Sequence, residues 1–355
     1  MSGRPRADNR AMPPIATLAL SLVLLGAAPA DSATARIERL IAALDEYPVD
    51  MARANDAVTQ LGGMRDHAPE IIPLLLVRAE ENRIQDNAMR DLRIVAAFDT
   101  LARPFAPQLL RIADAKDPFM AGLALEALSA SGHDSPELRA MLRRKLKEDS
   151  QRAGDALDAI GSLGPRGSEF LPVLIATLDR DPYYGTRMQA AKTLGRIGDD
   201  SPPVLASLKR AICSSFEATG LVGSQNARYY HNVRYAAARA LANLGPAGAR
   251  VLFEGIRDAG RGVDTQGAFA CADLMGSTGE SGRAYVPELI ALMASPDEAT
   301  RGAAEGALRK LGAMARPALL DQLGSADPAY RRRITKLIEG IASDSTDAAN
   351  WPRPR

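Results

Sequence analysis

One stretch of the sequence decides the fold: Val233-Arg234-Tyr-Ala-Ala-Ala-Arg-Ala-Leu241-Ala-Asn-Leu244-Gly245. Leu241 and Leu244 follow Arg234 by seven and ten positions, and Gly245 follows it by eleven. Seven residues make two turns of an α-helix and ten make nearly three, so Arg234, Leu241 and Leu244 share one helix face. A glycine directly after the last apolar residue suits a left-handed C-cap. The stretch therefore predicts an Ala-rich helix with one apolar face and a glycine stop.

The same pattern recurs along the chain, which predicts an array of repeats. Other copies keep only its end, and those near 86–101 and 265–276 are irregular. Successive ends at 132, 164, 198, 245, 276 and 312 are 32, 34, 47, 31 and 36 residues apart. The full copies are Arg187/Leu194/Ile197/Gly198 and Arg301/Leu308/Leu311/Gly312; the partial ones are Val58/Leu61/Gly62, Leu128/Gly132, Ile160/Leu163/Gly164 and Arg331/Ile338/Ile341.

A second apolar helix is predicted between successive copies. It carries an early proline, as at Pro172, Pro287 and Pro317. Proline is tolerated in a first helical turn, where its missing N–H has no intrahelical partner. The two helices of a unit meet at short turns in which Asp is expected to cap the following helix and Pro to begin it. These turns are Asp117-Pro118, Asp181-Pro182 and Asp327-Pro328.

A first helix with proline, an Asp-Pro turn and an Arg-led, Ala-rich second helix ending in Leu-Gly resemble HEAT repeats. The short period is similar to the bacterial HEAT-like class that also includes phycobilin lyases. The resemblance covers roughly 35–342 and implies an all-α solenoid of about nine antiparallel helix pairs, with the second helices lining a concave face. It also implies a ladder in which a turn Asp pairs with the Arg of a neighbouring repeat: Asp181, Asp297 and Asp327 with Arg187, Arg234, Arg301 and Arg331. Met51, Ala121 and Ala153 fill the Arg position elsewhere, so the N-terminal half is expected to lack the ladder.

The two ends of the chain differ from the repeats. Arg4, Arg6 and Arg10 precede an apolar run that ends in Ala28-Pro29-Ala30, the pattern of a cleaved signal peptide over residues 1–30. The sequence thus predicts an exported protein, periplasmic rather than extracellular, with a solenoid over 31–342 and no membrane insertion after cleavage. The polar residues 343–355 are expected to form a disordered tail.

Charge and composition disfavour nucleic acid as a partner. The whole chain has a net charge of +1, and without residues 1–30 it keeps 41 basic and 42 acidic groups, a net charge of −1. A nucleic-acid-binding protein usually carries a broad positive field. The one basic cluster is interpreted as a solvated helix face; it comprises Arg139, Arg143, Arg144, Lys145 and Lys147.

One insertion stands out, at about 213–232 in the 47-residue interval. It is expected to be a loop beside the turn at Asp181, and five of the eight tyrosines fall at this edge. Tyr and Arg dominate binding hot spots, and solenoid insertions often mark the binding face. In the alternative interpretation, the tyrosines cover the insertion's own core and the arginines serve the repeat ladder. The predicted partner-binding residues are Tyr183, Tyr184, Arg187, Arg228, Tyr229, Tyr230, His231, Arg234 and Tyr235.

Residues for catalysis are sparse. His67, His133 and His231 lie far apart, each at a predicted loop or helix end, and Cys213 and Cys271 lack metal-ligand spacing. A disulfide between the cysteines is left open for an exported chain. The sequence thus predicts a non-catalytic scaffold or adaptor, without cofactor or metal, that binds another protein. The alternatives are a self-associating structural protein of the cell envelope and a lyase-type enzyme on a HEAT-like scaffold.

Overall fold

The structure, a computed structural model, describes residues 32–44, 51–81, 85–115, 117–148, 153–213, 224–261, 263–324 and 327–350. Within these ranges it describes the backbone alone at residues 51, 85, 224–232 and 342–350. The predicted signal peptide lies outside the described residues.

Nineteen α-helices follow one another in the described ranges, which contain no β-strand and one isolated bridge between Ala259 and Val263. The first ten are α1 Ala33–Leu44, α2 Met51–Gly63, α3 Ala68–Glu81, α4 Gln85–Ala97, α5 Ala106–Ala113, α6 Pro118–Ala130, α7 Pro136–Glu148, α8 Gly154–Ser162, α9 Leu171–Arg180 and α10 Tyr184–Ile197. The others are α11 Pro202–Cys213, α12 Ser224–Asn243, α13 Gly245–Arg257, α14 Thr265–Met275, α15 Glu280–Arg283, α16 Val286–Leu292, α17 Glu298–Leu311, α18 Arg316–Asp321 and α19 Pro328–Asn350. Six short 3₁₀ segments lead into or follow first helices: Arg65–His67, Asp99–Phe105, Gly164–Phe170, Gly276–Thr278, Gly312–Met314 and Gln322–Gly324.

These helices form nine pairs in the described ranges, as the repeat spacing predicts. In each pair a first helix packs on the second helix that follows it, and each second helix also packs on the second helix of the next pair. The unbroken layer of second helices is α2, α4, α6, α8, α10, α12, α14, α17 and α19. The chain is therefore an α-solenoid in which each repeat buries its apolar face against its neighbours.

Small residues let the second helices approach closely. Ala190, Ala191 and Leu194 of α10 are fully buried, and a Cβ placed on Gly195 would lie 2.7 Å from Cα of Ala240 on α12. Thr193 adds a polar link between repeats, because its hydroxyl donates to the Leu157 carbonyl of α8 at 2.8 Å. Alanine-rich second helices are thus a packing requirement as well as a source of helix propensity.

Glycine stops end most of the second helices as predicted. Gly198 has φ of 77° at the end of α10, and Gly132, Gly164, Gly245 and Gly312 are also left-handed. Asp99, with φ of 49°, takes this place in the irregular copy near 86–101. Asp is among the few residues that tolerate this conformation.

The prediction is wrong at two of the glycines. Gly62 lies inside α2, and Gly276 has φ of −61°. Close packing explains Gly276, since a Cβ there would come within 2.4 Å of the Lys310 carbonyl oxygen. Glycine at this repeat end therefore lets the two second helices approach closely and does not form a left-handed cap.

Gly198→Ala should lower the free energy of unfolding by about 1 kcal/mol, because a Cβ is strained at positive φ. Asp99→Gly is the matched control. It relieves the same strain while losing only the exposed contact with Arg65, and should change stability by less than about 0.5 kcal/mol. Urea unfolding followed by circular dichroism measures both variants. Equal destabilisation by the two substitutions would contradict the assignment of the glycine stops.

The turn aspartates cap backbone N–H groups, and their pairing with the arginines of neighbouring repeats stays a prediction. Asp117 accepts the backbone N–H groups of Phe119 and Met120 at 2.9 and 3.2 Å. Asp297 accepts the Thr300 N–H at 2.7 Å, and Asp327 accepts that of Ala329 at 2.9 Å. Asp181 departs from its predicted position, because α10 begins only at Tyr184 and Asp181 instead caps the turn through the Tyr183 N–H at 2.9 Å.

Two arginines of the pattern bind carbonyl groups of their own repeat. Arg301 donates to the Ser295 and Pro296 carbonyls at 2.8 and 2.7 Å, and Arg187 Nε donates to the Leu178 carbonyl at 2.8 Å. The arginine stands one turn inside its helix, within reach of carbonyl groups that the end of the first helix leaves unpaired. A cross-repeat pair is formed by Arg234, with Asp264 of the next repeat, an aspartate outside the predicted set.

The second repeat contains a buried ion pair. Asp91 of α4 is fully buried, and its Oδ2 lies 3.3 Å from Nε of Arg78 on α3. A carboxylate in this setting depends on its cation, because removing one partner leaves an uncompensated charge in the interior. The pair therefore joins α3 to α4, the two helices of a repeat that lacks the arginine of the pattern.

Asp91→Asn should destabilise the chain by about 3 kcal/mol, because it leaves Arg78 without its carboxylate. Asp86→Asn removes the same charge from the exposed first turn of the same helix and should cost less than about 1 kcal/mol. Denaturation midpoints of the two variants compare the sites. A loss at Asp91 no larger than that at Asp86 would show that the buried pair is not stabilising.

The chain end also differs from expectation. Helix α19 runs from Pro328 to Asn350, so the backbone of 343–350 is helical where a disordered tail is predicted. No glycine or proline follows Gly340 until Pro352, and Ala348 and Ala349 are good helix formers, so nothing local ends the helix earlier. Residues 351–355 lie outside the description.

Candidate functional site

Half of the predicted insertion loop is a helical extension. Helix α12 begins at Ser224, so residues 224–232 have a helical backbone, and residues 214–223 lie outside the description. When Arg234 is aligned with Arg187, the residues from Ser224 to Tyr230 precede the position at which α10 begins. Glycines at 220 and 223 are followed by a run with no helix breaker. The extension is therefore compatible with local sequence, although periodicity did not predict it.

Two predicted partner-binding tyrosines are exposed at this edge. Tyr183 and Tyr184, at the start of α10, are 42% and 37% exposed. Arg187, one turn further on, is turned back toward the Leu178 carbonyl of its own repeat. The edge thus presents aromatic surface, while that guanidinium has an internal role.

Other members of the predicted set lie between repeats. Arg234 is only 7% exposed and pairs with Asp264, and the Tyr235 hydroxyl donates to Asp273 of α14. Burial, followed by the hydrogen bond to Asp273, raises the pKa of Tyr235 to about 12. These contacts support the alternative in which the arginines serve the repeat. The side chains of Arg228, Tyr229, Tyr230 and His231 lie outside the description, so their role stays a prediction.

Arg234→Ala should lower the free energy of unfolding by about 2 kcal/mol, because it removes a charge-assisted hydrogen bond between repeats. Arg239→Ala, on an exposed position of the same helix, should cost less than about 0.5 kcal/mol. Thermal and urea unfolding compare the variants. If Arg234→Ala is as stable as the parent but no longer binds a partner, Arg234 contributes to the binding surface and not to the fold.

A trough of about 600 Å³ lies on the second-helix layer, between α6 and α8. The lining residues of α6 are spaced mainly by three or four positions, as are those of α8, so they lie on one face of each helix. The trough therefore runs along the two helices. Flanking residues come from α4 and α10. The lining comprises Met89, Arg93, Phe119, Gly122, Leu123, Glu126, Ser129, Ala130, Asp155, Asp158, Ala159, Ser162 and Arg196.

Small side chains make this seam concave. Gly122, Ala130 and Ala159 leave the space between the two helices unfilled. Asp155 occupies the place above Gly122, where a Cβ would lie 2.4 Å from its Oδ2. Phe119, at the start of α6 and three residues before Gly122, is 60% exposed and lines the same trough. The trough therefore combines an open aromatic surface with a carboxylate one helical turn away.

The charges of the trough are only partly balanced. Asp158 accepts from Arg196 at 2.9 Å and also from Gln189. Asp155 and Glu126 form no hydrogen bond or ion pair with other described residues, nor does Arg93. Burial, and then the nearby Asp158, raise the pKa of Asp155 above its ordinary value. The nearby Lys145 acts on this pKa in the opposite direction, and the carboxylate of Asp155 is open to solvent.

Sequence reasoning missed this trough. The signal for it was weak: an Ala153 in the arginine position, a short α8 and small residues at a helical spacing. Each of these features is compatible with ordinary packing. Only the relative placement of α6 and α8 shows that the small residues face open space.

The arginines of the basic helix α7 form ion pairs with carboxylates of neighbouring turns. Arg139 lies 2.7 Å from Asp134 and 2.6 Å from Glu169. The carboxylates come from the turns of its own repeat and of the adjoining ones. This pairing agrees with its interpretation as a solvated helix face. Further pairs are Arg143–Glu169, Arg144–Asp114 and Arg166–Asp134.

Reactive side chains are scattered over the described residues. In those ranges no group of three or more His, Cys, Asp or Glu residues is placed to hold a metal ion. His67 lies 3.4 Å from Glu70, and burial lowers the pKa of His133. Cys213 and Cys271 are free thiols in the structure, and burial raises the pKa of both. A buried thiol is a poor nucleophile, since the thiolate is the reactive form.

None of the helices that the structure describes has the length and hydrophobicity needed to cross a lipid bilayer.

The comparisons with known proteins identify the fold. No protein-family model and no curated protein matches the sequence. Among solved structures, the karyopherin Kap121p bound to the extreme C-terminus of the protein phosphatase Cdc14p matches 83% of this chain with 14% identity and a TM-score of 0.52. Kap121p bound to Ste12p gives the same values. Importin beta covers 86% of the chain with 15% identity and a TM-score of 0.48.

This chain spans 35% of the length of Kap121p in those matches. At such low identity the similarity shows the fold alone. The predicted all-α solenoid of helix pairs is confirmed.

Proposed function

We propose that this chain is a non-catalytic scaffold of HEAT-type repeats that binds another protein on its second-helix layer. The observation that carries the proposal is the trough between α6 and α8, with its exposed Phe119 and with an Asp155 carboxylate that forms no hydrogen bond to a described residue. Exposed aromatic groups next to charged groups are typical of binding hot spots. Kap121p, which shares the fold, has been solved bound to the extreme C-terminus of the protein phosphatase Cdc14p and bound to Ste12p, and this supports a protein partner for the present chain.

The edge at Tyr183 and Tyr184 is a second candidate surface. Both side chains are exposed at the start of α10, and α10 packs on α12, the helix that carries the extension. This surface keeps the predicted set of Tyr229, Tyr230, Arg228 and His231 as part of the proposal. It differs from the trough in place and in charge, so the two can be tested separately.

The cellular setting is part of the proposal. The N-terminal residues support export through a cleaved signal peptide, and we place the scaffold in the periplasm. A self-associating structural protein of the envelope is the alternative. It predicts that the chain recovers mainly itself, whereas a scaffold recovers a distinct partner.

A crosslinking pull-down from the native cell envelope tests the proposal, with the chain from Asp31 onward as bait. We expect one distinct partner, and at least a tenfold loss of it with Phe119→Ala. Phe269→Ala is the matched control, since Phe269 is 40% exposed on α14 outside the trough. Recovery of the bait alone would contradict the scaffold and favour self-association.

The edge is tested by a Tyr229→Ala/Tyr230→Ala bait with the helicity of the parent. If that bait loses the partner while Phe119→Ala retains it, the binding surface is the edge and not the trough. If only Phe119→Ala loses it, the trough is the binding surface. Loss of helicity together with loss of binding in the tyrosine variant would show that those side chains support the fold.

A further inference from the structure

Resting on the proposed function, we propose that the trough between α6 and α8 recognises a short partner segment in which a lysine or arginine stands within two residues of a large apolar side chain. The apolar side chain packs on Phe119 and Leu123, and the cation binds Asp155. The occupant is a segment of another protein. This assignment names the chemistry of the partner, which the scaffold function leaves open.

The spacing of the two subsites sets the spacing in the partner. Phe119 and Gly122 are three residues apart on α6, a rise of about 4.5 Å along the helix. Asp155 lies directly above Gly122. In an extended segment, side chains on the same side repeat every two residues, or about 6.6 Å. One apolar and one basic side chain within two residues therefore reach both subsites.

Charge complementarity selects a cation. The trough has three carboxylates and two guanidinium groups, and the Arg196 guanidinium already bonds to Asp158. Asp155 forms no hydrogen bond with another described residue; the carboxylates of Asp158 and Glu126 oppose its charge, and Lys145 offsets part of that repulsion without bonding to it. A bound ammonium or guanidinium relieves this repulsion and forms a charge-assisted hydrogen bond. An acidic segment would add to the repulsion.

The length of the trough limits the occupant to a few residues. The lining of α6 runs from Phe119 to Ala130, eleven steps or about 16 Å along the helix. An extended chain covers that distance with roughly five residues. A linear segment thus fits, and a folded domain does not.

The chain's own end has this chemistry, with Trp351 followed two residues later by Arg353. It cannot reach the trough of its own molecule, because residues 351–355 span at most about 18 Å. Helix α19 is five second-helix steps from α8, or about 40–50 Å at usual helix spacing. A second copy remains a distinct occupant that the experiment identifies.

Site-specific photocrosslinking tests the assignment. The full chain carries p-benzoylphenylalanine at position 119, or at position 269 as the matched control, and is irradiated in native envelope extract. The crosslinked segments are then sequenced by mass spectrometry. We expect position 119 to capture segments with Lys or Arg within two residues of an apolar residue. We also expect Asp155→Asn to lower that capture at least tenfold, and Glu298→Gln on the exposed start of α17 to leave it unchanged.

A double-mutant cycle gives the quantitative test, with a fluorescent synthetic copy of the captured segment as probe. Asp155→Asn and replacement of the probe's basic residue by Ala should each raise Kd at least tenfold. The two changes together should raise it no further, because both remove the same ion pair. Independent, multiplicative effects would overturn the assignment of the cation to Asp155.

Each of the other outcomes overturns either this inference or the proposed function. Capture of acidic segments, or capture indifferent to Asp155→Asn, overturns this inference and leaves the scaffold function intact. Capture of Trp351–Arg355 from a second copy replaces the assigned partner by self-association. No capture at position 119, together with no partner in the pull-down, overturns the proposed function itself.

Discussion

The close approach of consecutive second helices is the contact on which the rest of the structure depends. At one such contact, Gly195 of α10 lies against the backbone of Ala240 on α12, and Gly276 approaches the Lys310 carbonyl of α17 in the same way. Any larger residue there would separate the repeats and expose the buried alanines and leucines between them. Because no repeat can bury its apolar face alone, this one distance sets the stability of the array. The hydrogen bond from Thr193 to the Leu157 carbonyl fixes the same contact in the preceding repeat.

The trough follows from the same requirement. Where two second helices meet, small residues permit close packing only if side chains of the facing helix fill the space between them. Along α6 and α8 the facing positions are themselves small or polar, as at Gly122, Ala130 and Ala159, and a concavity remains. The carboxylate of Asp155 stands in it without a partner among the described residues, while Phe119 is open to solvent. The same small residues that allow close packing elsewhere in the solenoid thus leave a concave surface at this seam.

Polar contacts divide into two roles along the array. Most turn aspartates and pattern arginines satisfy backbone groups at helix ends within one repeat, as Asp117 and Arg301 do. Others join elements through paired charges, as Arg234 does with Asp264 and Arg78 with Asp91. Helix termini leave donors and acceptors unpaired near every turn, so a charged side chain in a turn meets its own backbone first.

The sequence by itself determined the all-α class, the nine helix pairs, the proline-bearing first helices and most glycine stops, because these depend on local periodicity and backbone conformation. It also located the edge at Tyr183 and Tyr184. Local pattern failed where contacts between repeats decide the outcome. Gly276 is a packing glycine, Arg234 is buried against Asp264, and the expected loop before Asn232 is partly helical. Only the tertiary structure brought Phe119 and Asp155 into the lining of one trough, since residues more than thirty positions apart meet through the stacking of repeats and not through any sequence period.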